Sequence, residues 1–272
     1  MNLPRSSFYY RSEKRQGNDE ELTHWIEGVV EEFSGYGYRR VTWQLKREGL
    51  RVNHKRVLRI MRERGLLRKQ KRRWVRTTDS NHRYPIYTNL LEDLEVTSPN
   101  QVWAADITYI SILTAFVYLA VILDLFSRKA IGYALSRNID TALSLNALWM
   151  AIQNRTPPNG VIHHSDQGVQ YAASDYVDTL LAHSFQISMA RKGNPYDNAV
   201  VESFIKTLKS EEVYLWEYRT LADVEERLPY FIEHVYNQKR LHSALGYRPP
   251  NEFEEMCVLT KNHQNPCLVT LT

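Results

Sequence analysis

The hydrophobic spacing of the chain changes near Gln101, and this limits the possible folds more than any other feature. Upstream, Leu22, Trp25, Ile26, Val29, Val30 and Phe33 keep the i, i+3, i+4, i+7 spacing of an amphipathic helix, which stops at Gly35-Tyr36-Gly37. Downstream, residues 102–112, 116–123 and 130–135 form three β-rich runs at hairpin spacing. A helix is expected over 141–153, a strand over 161–164, a helix over 174–183 and a strand over 186–189. After the turn Lys192-Gly193-Asn194-Pro195 a long helical stretch begins. Three antiparallel strands followed by alternating helix and strand predict an α/β class with a mixed sheet. At 272 residues there is room for this domain and a small all-α domain before it.

The longest apolar run, residues 115–123, is nine residues and ends at Asp124, well short of the ~18–20 needed to cross a bilayer. The N-terminus lacks the pattern of a secretory signal, so a cytoplasmic protein with no membrane contact is expected. The two cysteines, Cys257 and Cys267, supply neither a disulfide framework nor a Cys-rich zinc cage and are read as incidental.

Charge is divided along the chain. Residues 39–83 hold 17 Lys/Arg against three acids, a balance of +14, whereas the remainder is net −10. Within this basic block Val41, Leu45, Leu50, Val52, Val57, Ile60, Met61 and Leu66 form two short helical patterns separated by Gly49, the layout of a helix-turn-helix. Asn53 is a suitable N-cap for the second helix. On that helix Val57, Ile60 and Met61 share one face, and Lys55, Arg59 and Arg62 fall on the opposite one. Such a cationic stripe suits phosphate contacts in or along a DNA groove; the competing reading is a solvated basic helix pair. Residues 68–74 extend the charge and serve equally as a connector. The expected boundaries are an N-terminal helical segment over 1–35, a helix-turn-helix domain over 36–76, a linker over 77–98, a core over 99–255 and a tail over 256–272.

Three acids stand where an open α/β sheet exposes residues to ligands, outside its strand ends. Asp106 lies in the first strand, Asp166 ends the strand after the crossover helix, and Glu202 opens the next long helix, with 35 residues between it and Asp166. Each alone reads more readily as a surface charge or cap than as a ligand. Asp106 differs because its setting, Val102-Trp103-Ala104-Ala105-Asp106-Ile107, is apolar, and an unpaired carboxylate there costs several kcal/mol unless a cation joins it. A carboxylate set without thiolates suits Mg²⁺ or Mn²⁺, and two such ions about 3.5–4 Å apart activate a water or hydroxyl and stabilise the leaving oxygen in phosphodiester chemistry. Lys206 and Lys209 follow Glu202 at i+4 and i+7 and are expected on its side of the helix, while Val201, Phe204, Ile205 and Leu208 turn inward. His163 and His164 are read as structural, Asp124 as a structural or supporting acid, and Asp197-Asn198 as a turn and cap for the Glu202 helix. Arg240 and His242 follow a helix and are candidate phosphate contacts. None of the 17 tyrosines has an evident Arg/His cradle, which disfavours a tyrosine recombinase.

The stretches Trp103-Ala104-Ala105-Asp106-Ile107-Thr108-Tyr109, Leu123-Asp124-Leu125-Phe126-Ser127-Arg128, His163-His164-Ser165-Asp166-Gln167-Gly168, Gly193-Asn194-Pro195-Tyr196-Asp197-Asn198-Ala199, Glu202-Ser203-Phe204 and Tyr236-Asn237-Gln238-Lys239-Arg240-Leu241-His242 occur in an order that resembles the DDE transposase and retroviral-integrase core. The likeness is strongest to the second-frame protein of two-frame, integrase-like bacterial insertion sequences. Upstream, Gly35-Tyr36-Gly37-Tyr38-Arg39-Arg40 and Arg56-Val57-Leu58-Arg59-Ile60-Met61 resemble the helix-turn-helix of the same family. The resemblance covers roughly residues 5–255, and the gap between the last two acids agrees with it.

It implies a ribonuclease-H-like fold in which Asp106, Asp166 and Glu202 hold two Mg²⁺ or Mn²⁺ ions. It further implies cleavage at the terminal inverted repeats of a mobile element, then attack of a 3′-hydroxyl on target DNA without a covalent protein–DNA intermediate. Implied partners are DNA, further copies of the chain assembled on DNA, and an upstream-frame protein fused to it or acting with it; the implied location is the bacterial nucleoid. The chain departs from retroviral integrases in having no cysteine before Cys257 and hence no His/Cys zinc module ahead of the core. Two alternatives stay open on sequence alone: a DNA-binding regulator with an inactive core, and a nuclease that cuts without joining.

Overall fold

The computed structural model describes residues 17–67, 84–191 and 198–262, in two compact units, Met1–Gln70 and Lys71–Thr272. The basic run at 68–74, the first part of the expected linker and the turn at 192–197 lie outside the described residues.

The first unit holds three helices, α1 (Gly17–Glu32), α2 (Tyr38–Arg47) and α3 (His54–Glu63). Their inward residues are Leu22, Ile26, Val29, Phe33, Val41, Leu45, Val57, Ile60 and Met61. Trp25, expected in the apolar stripe, is 42% exposed. Asn53 caps α3 as expected, its side chain accepting from the Lys55 N–H at 2.9 Å. Gly49, at φ +91°, makes the turn out of α2, and the Leu50 N–H closes it on the Leu45 carbonyl at 2.9 Å. The expected division at residue 35 falls inside this unit. Phe33 and Tyr36 stack at 4.6 Å across it, and Asp19 of α1 binds Arg56 and Arg59 of α3 at 2.7 Å.

The second unit is built on a five-stranded sheet in the order β3-β2-β1-β4-β5. Strands β1 (Val102–Ser111), β2 (Phe116–Asp124) and β3 (Ala130–Ser136) are antiparallel neighbours, and β4 (Ile162–Ser165) and β5 (Gln186–Met189) continue the sheet in parallel. One face packs under α4 (Thr141–Arg155), α5 (Val169–Ala172) and α6 (Ser174–Ala182), burying Trp103, Ala105, Ile122, Leu148, Tyr176 and Leu180. The other face buries Ala104, Ile110, Leu119 and Val121 against α7 (Ala199–Leu208) and α8 (Leu221–Tyr230). The pleat sends alternate residues of β1 to opposite faces, and Asp106 falls in step with Ala104 and Ile110 on the α7 side. This is the expected α/β, ribonuclease-H-like arrangement.

Three expectations differ from what is found. The long helical stretch is broken: α7 gives way to a π turn, Lys209–Val213, and α8 to another, Phe231–Asn237. A buried Glu212 accounts for the first break, because its carboxylate gathers the Tyr218 hydroxyl at 2.8 Å and Arg227 Nε at 2.9 Å. The segment 84–98, read as linker, forms no helix or strand but lies on the core through Tyr87 and Val96, and its Leu90 N–H donates to Ser188 Oγ at 2.9 Å. The expected start of a tail at 256 cuts through α9 (Pro250–Asn262), where Phe253 and Cys257 are buried with Phe126 and Leu245.

Candidate active site

The parallel pairing of β1 with β4 matches Trp103 with His163 and Ala104 with His164. Two residues further along stand Asp106, midway along β1, and Asp166, just past the end of β4, so the register itself sets these carboxylates side by side. Asp106 is partly buried and accepts from the Ile107 N–H at 2.8 Å. Asp166 accepts from the Gly168 N–H at 2.9 Å, where the chain turns into α5. A Cβ on Gly168 would stand 2.9 Å from that same Asp166 oxygen, so the turn leaves little room for a larger residue.

Glu202 arrives from the opposite layer. Val201, Phe204 and Leu208 are buried under the sheet, which leaves Glu202 and Lys206 exposed on α7. The helix start is tied to β1 by Asn198, whose amide donates to the Ala105 carbonyl at 3.4 Å, next to Asp106. Asn198 therefore holds α7 to the strand; no cap hydrogen bond from its side chain is made, contrary to expectation. Asp197 lies outside the described residues.

Burial pushes the Asp106 carboxyl up to about 8, with Asp166 and then Glu202 adding like-charge repulsion; the Ile107 N–H and Lys209 work against the rise. Burial also raises Glu202. Lys209 is lowered by burial and held up in part by Asp106, and its Nζ sits 4.1 Å from the Tyr109 ring centroid. The three acids and Lys209 thus form one electrostatic group. Among the described residues no three His, Cys, Asp or Glu side chains are gathered into a ready-made metal cage.

Tyr171 was not singled out in the sequence. It lies one helical turn past Gly168 in α5, is buried, and its hydroxyl has no hydrogen-bond partner among the described residues. Burial, Tyr176, Asp106 and Asp166 keep that hydroxyl protonated. The spacing from the Asp166 turn was the available signal, because helical spacing returns residue i+3 of Gly168 to the same side.

The supporting groups are structural. His163 bonds the Tyr176 hydroxyl at 2.9 Å, and burial, then His164, push its imidazole down to about 3, so it stays neutral. His164 bonds Ser188 Oγ at 2.9 Å. Asp124, fully buried, accepts from the N–H groups of Asn100, Phe126 and Ser127 and from Arg155, which ties α4 to Glu254 of α9 at 2.6 Å. Burial is the leading influence on the Asp124 carboxyl and raises it.

Arg240, expected as a phosphate contact, is committed elsewhere. Its guanidinium is buried and grips Glu211 with two hydrogen bonds of 2.7 and 2.8 Å, so it is not offered to a phosphate. The expected stripe on α3 is only partly free. Lys55, Arg59 and Arg62 are exposed, yet Arg59 already donates to Asp19 at 2.7 Å.

The sheet order and the helices on both faces are those of an integrase core. The Integrase core domain family matches residues 96–195, a second Integrase core domain family matches 183–250, and an HTH-like domain family matches 17–74. The chain belongs to the integrase-core transposases of bacterial insertion sequences, polynucleotidyl transferases. It is 38% identical over 259 residues to the Insertion element IS600 uncharacterized 31 kDa protein of Shigella sonnei, covering 93% of this chain and 95% of that protein. It is 39% identical to the Transposase for insertion sequence element IS904 of Lactococcus lactis subsp. lactis (strain IL1403), covering 90% and 98%. It is likewise 39% identical to Transposase InsF for insertion sequence IS3A of Escherichia coli (strain K12), covering 80% and 76%. No helix among the described residues is long and apolar enough to cross a membrane.

Proposed function

We propose that Asp106, Asp166 and Glu202 are the catalytic acids of this transposase and hold two divalent ions, Mg²⁺ or Mn²⁺, at the end of an element. The observation that carries this reading is the withdrawn Asp106 carboxylate, set by strand register beside Asp166 and repelled by both other acids. An all-oxygen set with such repulsion fits a hard cation, which relieves it. When bound, the ions activate a water or a 3′-hydroxyl and stabilise the leaving oxygen. The chain's own residues orient the reaction: the Ile107 and Gly168 N–H groups fix one oxygen each of Asp106 and Asp166. Lys209 adds positive charge beside Asp106 for a phosphate, and the exposed Lys206 lies along the same helix. Lys55, Arg59 and Arg62 supply the phosphate contacts of the helix-turn-helix unit. The terminal inverted repeats and target DNA are the substrates, copies of the chain assemble on them in the bacterial nucleoid, and an upstream-frame protein joins or acts with the chain.

The test is a labelled duplex carrying the inverted repeat that borders the gene, incubated with Mg²⁺, target plasmid and the full chain. Joined product is expected from the parent. Asp106→Asn, Asp166→Asn and Glu202→Gln should each abolish joining with DNA binding within about twofold. Joining by any of the three would overturn the assignment; nicks alone from the parent would support the nuclease, and binding alone the regulator.

A further inference from the structure

Arg240 and Glu211 form an enclosed ion pair of the core outside the acidic group, with side chains 3% and 10% exposed. Burying two charges is costly, and an apolar pair of similar volume is commonly as stable. What an arginine–carboxylate fork provides instead is direction, since two parallel hydrogen bonds fix an angle as well as a distance. Its location shows what is being directed. Glu211 lies within the π turn Lys209–Val213, and the same guanidinium reaches Thr207 Oγ1, at 3.4 Å, in the last turn of α7. The clamp therefore holds one residue on each side of the change from α to π winding, and Lys209 stands between them. A π turn carries more residues per turn than an α-helix and shifts the phase of whatever follows it. The Tyr214 N–H closes this turn on the Lys209 carbonyl at 2.8 Å. From there Lys209 extends over Tyr109, three residues beyond Asp106 on β1.

We propose that Arg240 is a positioning residue for strand transfer: by clamping Glu211 and Thr207 it fixes the π turn that aims Lys209 at the stretch of β1 carrying Asp106 and Tyr109. The proposal rests on the reading of Asp106, Asp166 and Glu202 as the catalytic acids. Arg240 itself touches no DNA and acts only through Lys209.

Single-turnover joining at saturating DNA, with the full chain and Mg²⁺ as above, tests it. Arg240→Lys keeps the charge and loses the fork, and Glu211→Gln keeps the shape and loses the charge. Each should slow joining by about 30–100-fold, the scale of an ångström-sized misplacement. DNA affinity should stay within about twofold and the melting temperature within a few degrees. The deciding measurement is the double variant: in a Lys209→Ala background, Arg240→Lys should cost less than about threefold more, because the group it aims is gone. Parental joining by Arg240→Lys, or losses that multiply in the double variant, would overturn the proposal. If Arg240→Lys unfolds the core, Glu211→Gln decides by the same cycle; unfolding of both overturns it by making the pair part of the framework. Asp106→Asn separates the two readings. Joining by that variant sinks the triad, whereas an inactive Asp106→Asn beside an unaffected Arg240→Lys sinks the clamp alone.

Discussion

At the scale of single residues, a carboxylate pushed up to about 8 in the metal-free protein has a thermodynamic signature. The folded state holds the Asp106 proton through a range where the unfolded chain, with an ordinary value near 3.8, has released it. Folding stability from this group is thus full below about pH 4 and is lost progressively as pH rises to about 8. Melting of the chelated protein across pH 5–8 should show this decline, Asp106→Asn should lack it, and Mg²⁺ should raise the melting temperature more at pH 8 than at pH 6. A parental pH profile identical to that of Asp106→Asn would refute it. The apolar run around Asp106 made this residue legible in the sequence, since burial without a partner is visible in residue order. Arg240 was misread because its partner Glu211 is 29 residues away and is brought to it only by the π turn. Tyr171 was passed over for a similar reason, its neighbours Asp106 and Asp166 being assembled by strand pairing.

At the scale of elements, the approach of β3 to α4 depends on one missing side chain. A Cβ on Gly132 would meet the Ala147 carbonyl oxygen at 2.3 Å and the Ala151 nitrogen at 2.7 Å, both backbone atoms that cannot turn aside. Gly132→Ala should destabilise the core by about 3 kcal/mol, the upper part of the usual cost of overpacking. Chemical denaturation measures it, and a loss below about 1 kcal/mol would show that the helix shifts freely. The strands were readable to within a few residues because β-branched and aromatic runs bounded by turns mark them. The break after α7 leaves only a faint mark in the sequence: the positions three and four after Leu208 are Glu211 and Glu212, which read as an exposed helix face rather than as a change of winding. Only the hydrogen bonds that Tyr218 and Arg227 make to buried Glu212 reveal why the chain changes course.

At the scale of the whole molecule, the cationic stripe of α3 and the acidic group belong to separate compact units. The salt dependence of DNA binding should follow the first. Replacing Lys55 and Arg62 together should lower the slope of log affinity against log salt by roughly 2. Arg59→Ala should lower it by less than either, because Asp19 already neutralises that guanidinium in part. Fluorescence anisotropy across 50–200 mM salt, a range fixed by common practice for such slopes, checks both; equal effects of the three would show that the Asp19 pair opens on DNA. Division into a basic helical part and an α/β part was evident from charge and periodicity. The inclusion of α1 in the first unit was not, since it rests on Asp19 reaching across 37 and 40 residues. The acids lie on β1, beyond β4 and on α7, and the clamp residue comes later still, at position 240. A ribosome adding ~5–20 residues per second thus finishes the helices ending at Glu63 on the order of 10 s before it reaches Arg240. On the function proposed above, a chain still being made would grip DNA before it could cut, and its first encounters are expected with DNA near the site of its own translation.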